Sequence, residues 1–116
     1  MICGNSCAFP YYDCPSGGIL EDSQRMAFLK GTYDDLYRLA EGAGVHLPED
    51  IRERYLQEFA AMPLNSTSSL YRDIKDGVPQ NELEQIVGNA VRFAREKKIS
   101  VPFIAAAYDK TLQTML

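Results

Sequence analysis

The stretch Asn65–Gln85, NSTSSLYRDIKDGVPQNELEQ, sets two helix starts on either side of one break. Ser66, Thr67, Ser68 and Ser69 precede a short charged run, which meets Gly77-Val78-Pro79. Asn81 and Glu84 then stand at capping-box spacing. Hydroxyl and amide side chains accept from the free N–H groups of a first turn, and glycine followed by proline ends a helix. The stretch therefore reads helix, break, helix, with no strand. Capping alone accounts for the hydroxyls and is the more economical reading. A small anion is the sharper one: a first turn offers free N–H groups and a positive dipole end, and Ser68 and Ser69 add hydroxyl donors. Glu82, in the first turn of the second helix, either complements the dipole or accepts a bond from a substrate hydroxyl in a cleft. Arg72 and Asp73 are expected as a structural ion pair.

Outward from this stretch, helical periodicity continues in both directions. A first helix is predicted over about Met1–Tyr12, followed by a turn at Cys14-Pro15-Ser16-Gly17-Gly18. A second runs from about Asp22 to Gly42. Its apolar positions Met26, Leu29, Tyr33, Leu36, Ala40 and Ala43 form one long stripe. Gly31 interrupts it and marks close helix approach; Gly42 and Gly44 end it. A third begins near Pro48, with Glu49 and Asp50 in its first turn, and Pro63 stops it. Its buried face is Ile51, Tyr55, Phe59 and Met62. The helix from about Ser66 to Asp76 is the fourth. The fifth, about Glu82–Lys98, buries Leu83, Ile86, Val87, Ala90, Val91 and Ala94, with Arg95, Lys97 and Lys98 at its C-terminus. The last starts at Pro102 and carries Ile104, Tyr108, Leu112 and Met115. The expected fold is all-α, a single domain of about six helices.

Bulk properties bound the function. The chain has 116 residues, with 46% hydrophobic and 24% charged residues, which suits one soluble domain with a modest core. Its formal charge of −4 argues against a nucleic-acid backbone or an anionic membrane as partner. No apolar run reaches membrane-span length, and the N-terminus has no signal-peptide pattern. Cys3, Cys7 and Cys14 lie near the start, and with no export signal they read as reduced cytosolic thiols. The single histidine, His46, lies far along the chain in a turn, so no metal site is expected and buried cysteines are the better reading. No HExxH, P-loop, GxSxG or GxGxxG is present, and Gly17-Gly18 reads as a turn rather than a phosphate cradle. The first helix lacks a start signal, as if the chain were the remainder of a longer one.

A family resemblance rests on these same residues. Ser68-Ser69-Leu70-Tyr71-Arg72-Asp73-Ile74, then Gly77-Val78-Pro79, then Glu82-Leu83-Glu84 and Gly88, resembles the C-terminal domain of ketopantoate reductases (2-dehydropantoate 2-reductases). Cys14-Pro15-Ser16-Gly17-Gly18-Ile19-Leu20, Gly44-Val45-His46-Leu47-Pro48 and Ile99-Ser100-Val101-Pro102 are similar to further turns of that family, so the resemblance spans nearly the whole chain. It implies an NADPH-dependent reductase that converts 2-dehydropantoate to pantoate, towards pantothenate. A Rossmann domain binds NADPH there, and an all-helical C-terminal domain closes over the substrate. Residues 1–116 correspond to the second part, with the Rossmann half outside this chain.

By this resemblance Ser69 matches a serine that contacts the substrate carboxylate, and Glu82 a glutamate that helps hold substrate. Ser68 and Asn5 complete the expected substrate-binding set. The loop Pro79-Gln80-Asn81 is one residue longer than the family pattern, which displaces Glu82. The family lysine falls just upstream of Met1, and Lys30, on another helix, is no substitute, so no catalytic residue is expected here. The family asparagines fall near Ile2 and Ser6, with only Asn5 close. The chain alone is expected to be inactive and to bind no cofactor, with NADPH held mainly by the other domain. Expected partners are a small anionic 2-keto acid, the Rossmann half and, as an option the scaffold leaves open, a second copy in a homodimer. A cytoplasmic location is expected. The competing reading is a stand-alone helical oligomerisation or interaction module that has lost the chemistry. A thiol or metal protein built on Cys3, Cys7 and Cys14 ranks far below both.

Overall fold

The computed structural model describes residues 2–77 and 84–115. Within them the chain forms seven α-helices: α1 (Ile2–Tyr12), α2 (Ser16–Leu20), α3 (Ser23–Gly42), α4 (Ile51–Ala61), α5 (Ser69–Lys75), α6 (Asn89–Lys97) and α7 (Pro102–Met115). A π-helical turn, Glu84–Gly88, leads into α6. No described residue is in a strand, so the all-α expectation holds. Asn81, Glu82 and Leu83 lie outside the described residues, and with them the predicted capping box and the start of the fifth predicted helix.

The centre of the fold is α1. Cys7, Ala8 and Phe9 are buried in succession, which one apolar stripe cannot produce; the helix is covered on several sides. It packs against α3, α7, α5 and the π-helical turn. Phe9 meets Phe59 of α4 and Tyr71 of α5, with ring centres 6.1 and 6.3 Å apart. Ile19, Leu29, Tyr33, Val87 and Ile104 close the same core.

Local chemistry places each element. Asp22 caps α3, its Oδ1 accepting from the N–H groups of Gln24 (2.8 Å) and Arg25 (3.2 Å). The left-handed residues Asp13, Gly44, Gly77 and Lys98 follow the ends of α1, α3, α5 and α6. Gly31 does mark a close approach: a Cβ there would sit 2.5 Å from the ring of Phe103 on α7. The face of α4 is as predicted, with Phe59 buried and Ile51, Tyr55 and Met62 half-buried.

Three expectations are revised. Ser16–Leu20 is a short helix, not a turn, because its first N–H groups find carbonyl partners: Ser16 N–H donates to Ser66 O (3.0 Å) and Gly17 N–H to Leu64 O (2.8 Å). The third predicted helix begins at Ile51, since Pro48–Asp50 form a turn closed by Ile51 N–H on Pro48 O (3.0 Å). On α3 the buried face is broader than the predicted stripe. It includes Phe28, Thr32, Asp35 and Leu39, while Ala43 is exposed past the helix end, because α1, α2, α4, α6 and α7 all pack against α3.

Candidate functional site

The hydroxyl run before α5 is built onto α2. The Ser16 hydroxyl donates to Pro63 O (2.7 Å), and the two backbone bonds to Leu64 and Ser66 fix the incoming loop. Ser68 then caps α5, its Oγ accepting from Tyr71 N–H at 3.1 Å. Capping is thus what the Ser68 oxygen does, and its own hydrogen is left as a donor. Ser69 is the first residue of α5; its side chain, like the whole of Glu82, lies outside the described part.

Asn5 sits on α1 where that helix crosses α3. It is 8% exposed, and its Oδ1 accepts from the hydroxyl of Tyr33, itself 1% exposed, at 2.6 Å. The crossing is tight because residue 4 is glycine: a Cβ there would lie 2.8 Å from both Thr32 Oγ1 and a ring carbon of Tyr33. Burial holds the Tyr33 phenol well above its ordinary pKa, with Glu58 and Tyr55 adding to it, so it stays protonated and donates. Both Asn5 and α5 belong to the packing around α1, which also meets the π-helical turn after residue 83.

A cleft of about 470 Å³ opens between the end of α1, α5 and α7. Tyr11, Tyr12, Asp13, Tyr71, Lys75 and Lys110 are among its walls; neither Asn5 nor Ser68 is. Its polar groups brace one another. Tyr71 donates its hydroxyl to Asp13 Oδ1 (2.7 Å), and Lys75 Nζ lies 3.4 Å from the same oxygen. The Tyr71 hydroxyl, and then Lys75, hold the Asp13 carboxyl below its usual range, while burial raises the Tyr71 phenol. Lys110 Nζ donates to Tyr11 O (2.6 Å) and lies 4.3 Å from the centre of that ring. Volume alone gives this cleft no chemistry. Its link to the predicted site is Tyr71, whose N–H rests on Ser68 and whose hydroxyl rests on Asp13.

Sequence reasoning missed Asp35. Its side chain is fully buried on α3, and Oδ2 accepts from Phe103 N–H (2.9 Å) and Ile104 N–H (3.0 Å) at the start of α7. Arg38 pairs with its other oxygen. The signal was spacing: Phe28, Thr32, Asp35 and Leu39 follow in steps of four, three and four, so the aspartate shares their face. Among the described residues Arg72 and Asp73 form no ion pair with each other, and Lys75 of α5 pairs instead with Asp13 at the end of α1.

Other chemistry finds little support among the described residues. No three His, Cys, Asp or Glu side chains converge as a metal site. Cys7 is buried; Cys14 is half-buried, and burial raises its thiol pKa. The Gly17-Gly18 pair offers no dinucleotide cradle, because Gly17 N–H is bound to Leu64 O and Gly18 N–H to Pro15 O. These residues therefore do not fit NADPH by themselves. No helix of the described residues is long and apolar enough to cross a membrane.

Known proteins supply the context. The chain is 29% identical over 106 residues to a 2-dehydropantoate 2-reductase of Halobacterium salinarum, covering 91% of this chain but only 34% of that protein. The chain thus spans about a third of that relative. Its fold matches a dimeric ketopantoate reductase from Staphylococcus aureus (TM-score 0.88, 20% identity, 97% of this chain and 39% of that one). It also matches a 2-dehydropantoate 2-reductase from Methylococcus capsulatus (TM-score 0.81, 26% identity, 97% and 41%). Residues 2–113, almost the whole chain, match the model of the family described as Ketopantoate reductase PanE/ApbA C terminal, and the chain belongs to that family.

Proposed function

We propose that this chain is the substrate-binding, domain-closing C-terminal part of a cytoplasmic NADPH-dependent 2-dehydropantoate 2-reductase. The observation that carries the reading is the family match over residues 2–113 together with its extent, about a third of a full-length reductase. The substrate is a small anionic 2-keto acid. Ser69 and Ser68 supply hydroxyl donors at the start of α5, Asn5 supplies an amide from α1, and Glu82 accepts from the substrate hydroxyl. The described residues are consistent with this division of labour. The Ser68 oxygen is occupied as a cap while its hydrogen remains free to donate, and α5 is anchored through α2 and α1.

NADPH is held by a Rossmann domain outside these 116 residues; when bound there it supplies the hydride. The role of this chain is to orient and desolvate the keto acid. On its own it turns nothing over. The test is a cofactor-oxidation assay with the purified chain, NADPH and ketopantoate. The expected result is no oxidation above the blank. Reproducible, enzyme-dependent oxidation would overturn the assignment of the chemistry to another domain.

A further inference from the structure

We propose that Tyr33 is a positioning residue for substrate recognition, acting through Asn5; the inference rests on the placement of Asn5 in the substrate site made above. The Tyr33 hydroxyl is almost wholly buried and donates to Asn5 Oδ1 at 2.6 Å. A flipped Asn5 amide would present its NH2 group to the phenol and leave the phenol hydrogen buried without an acceptor, a costly arrangement. The bond therefore fixes which end of the amide faces inwards. Among the described residues no buried side-chain nitrogen or oxygen lacks a hydrogen-bond partner, and the bond to Tyr33 occupies the oxygen. The amide nitrogen is thereby turned away from Tyr33 as a two-proton donor, suited to a carboxylate or keto oxygen.

The placement is over-determined. Gly4 lets α1 approach α3 until the Tyr33 ring leaves no room for a Cβ at residue 4. Tyr55 packs edge-on against that ring, with centres 5.5 Å apart. With the ring 1% exposed and in contact with both α1 and Tyr55, its hydroxyl is held by packing as well as by the bond to Asn5. Sites that must aim a polar group depend on such support from the residue behind it.

The experiment is a mutant cycle read by calorimetric titration with ketopantoate, using Asn5→Ala, Tyr33→Phe and the pair combined. Tyr33→Phe keeps the ring and removes only the hydroxyl. Each single change is expected to weaken binding about tenfold, and the double variant is expected to bind no more weakly than Asn5→Ala. Asn5→Asp keeps an acceptor for Tyr33 but loses the donor, and is expected to abolish binding while the circular dichroism spectrum stays helical. If Asn5→Ala weakens binding and Tyr33→Phe does not, or if the two losses multiply, the positioning role is overturned while the substrate site stands. If Asn5→Ala binds like wild type, the placement of Asn5 in the site is wrong and this inference falls with it.

Discussion

Asp35 is a carboxylate in the middle of a helix, fully buried, with the first N–H groups of another helix as its partners. It does for α7 what an N-cap does, but from α3. Replacing it with alanine strips two N–H groups and Arg38 of their acceptor, and should cost about 3 kcal/mol in a urea unfolding experiment. Its titration has a definite sign. Burial raises the carboxyl above its ordinary value, against the Ile104 N–H, Arg38 and the Phe103 N–H. The folded state therefore keeps the proton to higher pH than the unfolded chain does. Its contribution to stability is fullest below the unfolded carboxylate range, near about pH 4, and falls as pH rises through the raised folded value. In Asp35→Asn that downward slope should be missing; an identical pH profile in both proteins would show that Asp35 does not titrate this way.

Elements show where sequence patterns carry and where they stop. The stripe on α4 was legible because that helix buries one face, whereas α3 and α1 are covered on several sides and a single stripe understates them. The short helix α2 was hidden because its first N–H groups are satisfied by Ser66 O and Leu64 O, about fifty positions away, which no local pattern reveals. Gly31 was legible as a contact point, and its partner, Phe103, was not. Gly31→Ala should force the α3–α7 contact apart and cost about 2 kcal/mol, visible as a lowered melting temperature; an unchanged melting point would mean that the Phe103 ring simply swings aside. At α5 the cap is local. Ser68→Ala should cost about 1 kcal/mol, with hydrogen exchange accelerated in Ser69–Lys75 and little changed in α3. Uniform acceleration in both helices would contradict a local role.

For the whole molecule, a radius of gyration of 13.6 Å is that of a closed domain of this length, about 13 Å by the usual scaling. The fold class was readable from periodicity and punctuation alone. The family was readable through the order and spacing of several motifs, chiefly Ser68-Ser69, Gly77-Val78-Pro79 and Glu82 with the flanking turns at residues 14–20, 44–48 and 99–102, and the local physics of the central ones is satisfied equally by capping. That is also why the site was only partly legible. Capping and substrate binding ask for the same residue types at a helix start, and Tyr33 bears on Asn5 through a helix crossing that spacing along the chain does not encode. The central claim, resting on the proposed function, is that Ser69 at the start of α5 and Glu82 hold a small keto acid. It is tested most directly by titrating the purified chain with ketopantoate beside Ser69→Ala and Glu82→Gln. Saturable binding in the wild-type chain, weakened about tenfold or more in each variant, is the predicted result; the same response from all three proteins would contradict it.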